Sequence, residues 1–130
     1  MQILSVVLAY HSLVTLAFSP ILMFAPEMLT KADQAKKSDD VPASASIKSD
    51  KSTVIMRICG IWVFYGGLTS LYATGYFTAV TNELQVVVSG ALMLTHLAEA
   101  VVKMIYTGNH MSNTHVFILL LVGLILNHII

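Results

Sequence analysis

Four segments of this chain are long and apolar enough to cross a lipid bilayer, and no other feature constrains the fold as much. A membrane-spanning helix needs roughly 20 apolar residues in a row. Hydrophobic residues make up 56% of the sequence and charged residues only 11%, too little charge for the surface of a soluble domain. We therefore predict an all-α, polytopic membrane protein, with four transmembrane helices in a compact up-down bundle that forms a single membrane domain over residues 1–130. The predicted spans are residues 3–24, 54–77, 84–106 and 112–130.

The first span is predicted to be a retained helix and not a cleaved signal peptide. No charged side chain precedes Pro26, so the segment lacks the basic start of a signal peptide. Its apolar run is also longer than the hydrophobic part of such a peptide. Proline lacks an N–H group and clashes with the preceding helical turn, so Pro20 and Pro26 are expected to kink and then end this helix.

A polar loop, residues 27–53, separates the first two spans and sets the expected orientation in the membrane. With four spans, this loop and residues 107–115 lie on one side, and both termini lie on the other. All seven basic residues then fall on or near the first side, which by the positive-inside rule faces cytosol, matrix or stroma. The formal net charge is zero, which gives no general attraction to nucleic acid. The seven are Lys31, Lys36, Lys37, Lys48, Lys51, Arg57 and Lys103.

The third span carries three ionisable residues in the stretch LTHLAEAVVKM. His96, Glu99 and Lys103 are three and four residues apart, so on a helix they share one face. A charge facing hydrocarbon is costly, and that face should therefore point into protein. Arg57 begins the second span near the membrane side where the third span ends, so we predict a buried polar network of these four residues. A proton or ion pathway is the alternative. No metal site is expected, because two ligands lack a local third.

Three histidines within the spans are candidates for holding a cofactor. His11 and His128 both lie toward the side of the termini, and two facing histidines can ligate a haem, while a lone histidine such as His96 can ligate a chlorophyll. The alternative is that each bonds a neighbouring helix as an ordinary polar side chain. We expect no cofactor, with haem or chlorophyll as the exceptions, and a bound lipid is possible.

Small residues on the second span predict close helix packing. Gly66, Ser70 and Thr74 recur at intervals of four, and Gly60 adds a further point where two backbones can approach. This stripe favours packing within the molecule over a dimer contact. The single cysteine, Cys59, excludes an internal disulfide, and we expect it to be a small buried side chain.

The fourth span is preceded by a polar turn, TGNHMSNTH. Ser112, Asn113 and Thr114 are the residue types that cap helix N-termini, so we expect one of them to cap the last helix.

The start of the second span resembles a known family. Arg57, Gly60, Trp62 and Phe64 form R-x-x-G-x-W-x-F, and His96 with a nearby Glu closes the following hairpin. This arrangement resembles the ergosterol biosynthetic protein 28 family of small four-span membrane proteins, over about residues 54–106. The resemblance implies a non-enzymatic scaffold that gathers sterol-synthesis enzymes at the endoplasmic reticulum.

The sequence shows no arrangement typical of catalysis: no nucleophile–base pair, glycine-rich phosphate loop or paired carboxylates. We therefore expect a non-catalytic accessory subunit of a larger membrane complex, most simply an energy-transducing respiratory or photosynthetic assembly. The expected partners are other membrane subunits and lipids. The expected location is a mitochondrial inner or thylakoid membrane rather than the endoplasmic reticulum. The alternatives are the sterol-enzyme scaffold and a pigment- or haem-binding subunit.

Overall fold

The structure is a computed structural model that describes residues 3–29, 49–106 and 111–129. These residues form four long helices and no β-strand. Each helix is long and apolar enough to cross a membrane, so the prediction of an all-α protein with four spanning helices is confirmed. The chain is an integral, multi-pass membrane protein. Most of the predicted polar loop lies outside the described residues. The helices are α1 (Ile3–Phe24), α2 (Ser49–Ala73), α3 (Asn82–Tyr106) and α4 (Met111–Ile129).

The largest difference from the predicted spans concerns α2. It begins at Ser49, inside the predicted loop, and ends at Ala73, four residues before the predicted end. Residues 49–53 contain no glycine or proline, so the helix continues past its apolar part into the polar sequence. At the other end, Gly75 has a φ of +77°. This left-handed conformation is readily adopted by glycine and commonly ends helices.

Pro20 lies inside α1, which nevertheless continues to Phe24. A proline removes the N–H that would bond the carbonyl four residues earlier, here that of Leu16. The hydroxyl of the preceding Ser19 donates to this carbonyl at 3.3 Å, so a side chain supplies the donor that the backbone lacks. This substitution explains how α1 accommodates the proline. Residues 26–29 form one further helical turn beyond the end of α1.

The chain divides into two compact units, and the boundary crosses α1 and α2. The larger unit comprises Met1–Leu13 and Gly66–Ile130, and the smaller is Val14–Tyr65. Within the smaller unit, α1 and α2 approach closely at Gly60. A Cβ placed there would lie 2.7 Å from Cγ of Met23 and 2.9 Å from its backbone nitrogen, so only glycine fits without a shift of the backbone.

The interior of the larger unit contains many polar side chains. Its buried side chains include several serines, Thr74, Gln85 and Asn113, while most large apolar side chains are exposed. Exposed apolar side chains are expected where the surroundings are lipid. Because lipid tails are as apolar as leucine, packing and hydrogen bonds between helices hold such a unit together. The core of the larger unit thus combines polar contacts with a few buried apolar side chains, among them Leu4, Leu8 and Leu120.

One face of α1 carries a regular series of serines. Ser5, Ser12 and Ser19 recur at intervals of seven residues, and all three are buried. Small residues on a buried helix face allow neighbouring backbones to approach. In contrast, Cys59 is exposed, so the expectation that it is buried was wrong.

Candidate functional site

Six polar side chains in the larger unit form a connected series that includes all four helices. We call this series the polar chain. It contains one residue each from α1, α2 and α4 and three residues from α3. Its members, in order of contact, are Ser70, His11, His96, Glu99, Asn113 and Lys103.

The centre of the polar chain is a direct hydrogen bond between two histidines. Nε2 of His11 lies 2.9 Å from Nε2 of His96, and the rings meet edge to face at an interplanar angle of 69°. The other ring nitrogen of His11, Nδ1, lies 2.6 Å from Oγ of Ser70. That hydroxyl in turn donates to the backbone carbonyl of Gly66 at 2.8 Å. The histidine pair is therefore anchored to the backbone of α2.

The opposite end of the polar chain joins a carboxylate to an ammonium through an amide. Nδ2 of Asn113 donates to Oε2 of Glu99 at 2.5 Å, and Nζ of Lys103 donates to Oδ1 of Asn113 at 3.2 Å. The same carboxylate oxygen lies 3.6 Å from Nδ1 of His96, which is ion-pair reach but beyond hydrogen-bond distance. Asn113 thus links two opposite charges of α3 to α4.

Burial decreases along the polar chain from Ser70 to Glu99. Ser70 is fully buried and His11 is 3% exposed, whereas the side chains of His96 and Glu99 are 14% and 45% exposed. Glu99 lies six residues, or about 9 Å, before the end of its candidate span at Ile105. The polar chain therefore runs from a fully buried hydroxyl to an accessible carboxylate near one face of the membrane.

A second polar cluster in the larger unit surrounds Gln85 at the other end of α3. Its Nε2 donates to Oγ of Ser5 and to the carbonyl of Ala73, both at 2.9 Å, and to the carbonyl of Thr74 at 3.3 Å. The last carbonyls of a helix have no partner within the helix. Gln85 satisfies two of them at the end of α2 and links α3 to α1 and α2, so we assign this cluster a structural role.

The structure brings together three residues of the network expected from sequence. His96, Glu99 and Lys103 are all members of the polar chain, with Asn113 between the two charges. Glu99 and Lys103 are exposed, so the expectation that the network is buried was wrong for these two. Arg57, the fourth expected member, belongs to the smaller unit and is exposed. Its pairing with Glu99 would join the two units and stays a prediction.

The sequence did not place three members in the polar chain. His11 bonds neighbouring helices, as one of its two sequence interpretations expected, while Ser70 was considered as a packing residue and Asn113 as a helix cap; each is a buried hydrogen-bonding partner. The available signal was that each is a polar residue within or beside an apolar span. Two of the three residues in the small-residue stripe of α2, Ser70 and Thr74, are buried. A Cβ on the third, Gly66, would lie 4.0 Å from Leu92 of α3.

The geometry of the histidines bears on the haem and pigment alternative. An iron between two axial imidazoles lies about 2 Å from each nitrogen, which separates those nitrogens by roughly 4 Å. His11 and His96 are 2.9 Å apart at Nε2 and bond each other, so their arrangement does not fit two axial haem ligands. The haem pair considered from the sequence was His11 with His128, which is exposed in the last turn of α4; that pairing, and a role for His128 in pigment binding, stay predictions.

The R-x-x-G-x-W-x-F motif, which carries the family resemblance, has one residue packed inside the smaller unit and three that are exposed. Gly60 packs against α1, while Arg57, Trp62 and Phe64 are exposed. The smaller unit therefore uses the glycine of the motif internally and presents its cation and its aromatic residues outward. No protein-family model, curated protein or solved structure matches this chain.

Proposed function

We propose that this chain is a non-catalytic accessory subunit of a larger membrane complex, bound to a neighbouring subunit through the outer face of α2. This outer face lies in the smaller unit, and every one of its side chains is exposed. It consists of Arg57, Ile58, Ile61, Trp62 and Tyr65.

Trp62 is the observation that carries the proposal. It lies near the middle of the candidate span Thr53–Ala73, and its side chain is 74% exposed. Tryptophan ordinarily lies at the membrane–water interface, where its indole N–H can reach a polar partner. Trp62 is about 14 Å from the start of the span at 1.5 Å per residue, and no residue in the described part of the chain accepts a hydrogen bond from it. A neighbouring protein helix can cover the ring and supply an acceptor.

Arg57 indicates the chemistry of that neighbour. It is exposed, and it forms no ion pair or hydrogen bond with the residues that the structure describes. A guanidinium inside a span is costly unless it is paired, and Arg forms its best-defined pairs with carboxylates. We therefore propose that the partner helix carries an Asp or Glu at the depth of Arg57. Arg and Trp are also the residue types that contribute most to binding at protein interfaces.

We further propose that the complex is energy-transducing and lies in a mitochondrial inner or thylakoid membrane, with residues 27–53 on the matrix or stromal side. The support is the position of the basic residues along the sequence and the small size of a chain built almost entirely of spanning helices. A chain of this kind has little surface outside the membrane on which to build an aqueous active site.

A scaffold similar to ergosterol biosynthetic protein 28 is the second candidate. The observation that favours it is the arrangement around Gly60, which gives the R-x-x-G-x-W motif an architectural role and leaves Arg57 and Trp62 facing outward. Both candidates use the same outer face, so they differ in the partner and in the compartment. Fractionation of the tagged chain separates them: residence in the endoplasmic reticulum supports the scaffold, and an organellar location removes it.

Replacing Trp62 with alanine is expected to release the chain from its complex without unfolding it. Removing a central aromatic anchor commonly costs at least about 2 kcal/mol of binding free energy, which corresponds to at least about a 30-fold weaker association. The measurement is co-migration with a larger complex on native gels in mild detergent, performed with the tagged full-length chain.

Phe24→Ala is the matched control for this experiment. Phe24 is an aromatic residue of the same unit with nearly the same exposure, 75% against 74%, but it lies at the end of α1. We expect this variant to co-migrate like the unmodified chain. Equal behaviour of the two variants, or migration of the unmodified chain as a monomer, would contradict a docking role for the outer face of α2.

A further inference from the structure

The hydrogen bonds of the polar chain determine where its protons lie. The hydroxyl of Ser70 donates its single hydrogen to the carbonyl of Gly66. With the hydroxyl oriented toward Gly66, its oxygen accepts the hydrogen bond from Nδ1 of His11, which lies 2.6 Å away, and the positions of the other hydrogens follow from this orientation. A neutral imidazole carries a hydrogen on only one nitrogen. Neutral His11 thus has its hydrogen on Nδ1 and a lone pair on Nε2.

The position of the hydrogen on His11 determines which nitrogen of His96 must carry one. Because Nε2 of His11 accepts, Nε2 of His96 must donate across the 2.9 Å contact. If His96 is neutral, its Nδ1 then carries a lone pair, and this buried atom has no hydrogen-bond partner among the described residues. It faces the carboxylate of Glu99 at 3.6 Å. This arrangement is unfavourable for two reasons: the buried lone pair lacks a donor, and it faces a negatively charged oxygen. A hydrogen on Nδ1 gives the nitrogen a donor that can point at the carboxylate, and so removes both.

We propose that the His11–His96 pair binds one proton, which reaches it through the carboxylate of Glu99. Glu99 takes the proton from water at its accessible end and transfers it to Nδ1 of His96, so the carboxylate returns to its ionised form. His96 then carries hydrogens on both nitrogens. It can pass the Nε2 hydrogen to Nε2 of His11, which leaves a neutral His96 and a cationic His11. The first transfer requires the 3.6 Å between Oε2 of Glu99 and Nδ1 of His96 to shorten to hydrogen-bond distance, and the second crosses the 2.9 Å contact between the histidines. Neither requires another reactant.

The neighbouring groups make the site a place to hold a proton. Ser70 faces the pair from α2, and its hydroxyl donates to the carbonyl of Gly66. The negative charge of Glu99 faces the pair from α3, while Asn113 of α4 lies between Glu99 and the positive Lys103. Glu99 is therefore the accessible end of the polar chain, and Ser70 is its buried end. This proposal stands on the larger unit alone and does not depend on the docking surface of α2.

The test is a pH titration of the full chain, labelled with ¹⁵N at histidine, in phospholipid nanodiscs. The ¹⁵N signals report directly which ring nitrogen carries a hydrogen. We expect His11 and His96 to change together, with one proton gained by the pair and the hydrogen appearing on Nδ1 of His96. The exposed histidines supply controls: His115→Gln and His128→Gln each remove one independent signal and leave the shared transition unchanged.

Two variants separate the binding pair from its entry residue. His96→Gln is expected to abolish the shared transition and leave His11 in its Nδ1–H form. Glu99→Gln keeps an amide oxygen for Asn113 but removes the charge. Because this variant lacks the negative charge that faces Nδ1 of His96, the fraction of protonated pairs at a given pH should fall. Circular dichroism confirms the helical content of each variant.

Specific results would overturn the proposal. One is independent titration of His11 and His96, with each resembling the exposed histidines. Another is a pair that stays neutral down to about pH 4 while the exposed histidines titrate. A third is saturable binding of Zn²⁺ by the pair with no proton uptake in its absence, which would assign the two nitrogens to a metal instead. If Glu99→Gln leaves the titration unchanged, the proton does not enter through Glu99 and the proposed route is wrong.

Discussion

Replacing Gly60 with alanine is expected to lower the free energy of unfolding by up to about 2 kcal/mol. The new Cβ would lie 2.9 Å from Cβ of Leu22 and 2.9 Å from the backbone nitrogen of Met23. These atoms cannot move by a change of rotamer, so α1 itself must shift, and such overpacking typically costs about 1–3 kcal/mol. Alanine is preferred over glycine in a helix by roughly 1 kcal/mol, which offsets part of the cost.

Gly90→Ala is the matched control for Gly60→Ala. Gly90 also lies inside a helix, but a Cβ there would meet no atom within 4 Å. Only the helix preference then acts, and this variant should be more stable than the unmodified chain. The measurement is thermal unfolding in the same detergent, followed by circular dichroism. If both alanines shifted the midpoint in the same direction, the close approach of α1 and α2 at Gly60 would be refuted.

Replacing Gln85 with leucine is expected to destabilise the larger unit by about 1–3 kcal/mol. Leucine fills a similar volume but donates no hydrogen bond, so the hydroxyl of Ser5 and the carbonyls of Ala73 and Thr74 lose their donor. Gln85 is only 1% exposed, and water is poorly placed to replace it. A buried polar group left without a partner costs about 1–3 kcal/mol. The same unfolding measurement applies.

Ser89→Ala provides the contrast, one helical turn further along α3. The Ser89 side chain is fully buried, and its hydroxyl has no partner among the described residues. Removing a hydroxyl that makes no hydrogen bond relieves an unsatisfied group, so we expect equal or slightly higher stability. A large loss of stability in Ser89→Ala would show that its hydroxyl is bonded, and similar stabilities for the two variants would argue against the role of Gln85.

The sequence was a good guide to the spanning helices and a poorer guide to their ends. Each span is a long run of apolar residues, and lipid permits few alternatives to a helix for such a run. The limits of α2 were missed because polar residues 49–53 can continue a helix in water, while the helix ends in the residues just before Gly75. Helix ends depend on single residues and their local conformation, which a hydropathy pattern does not resolve.

The candidate site was predictable only within one helix. The common face of His96, Glu99 and Lys103 follows from helical periodicity, and the structure places all three in the polar chain. The contributions of His11 and Asn113 depend on which helices are neighbours and how each is rotated about its axis. A single sequence contains no direct information on these two quantities.

The three buried serines of α1, which recur every seven residues, have a consequence for insertions and deletions in this helix. A residue inserted between Ser5 and His11 would rotate everything before it by about 100° relative to the rest of the helix. Either Ser5 would turn toward lipid and leave Gln85, or His11 would leave His96. A substitution in this segment, in contrast, changes one side chain and leaves the orientation of the others unchanged. We therefore expect α1 to tolerate many replacements on its lipid-facing side but no insertion or deletion between these two residues.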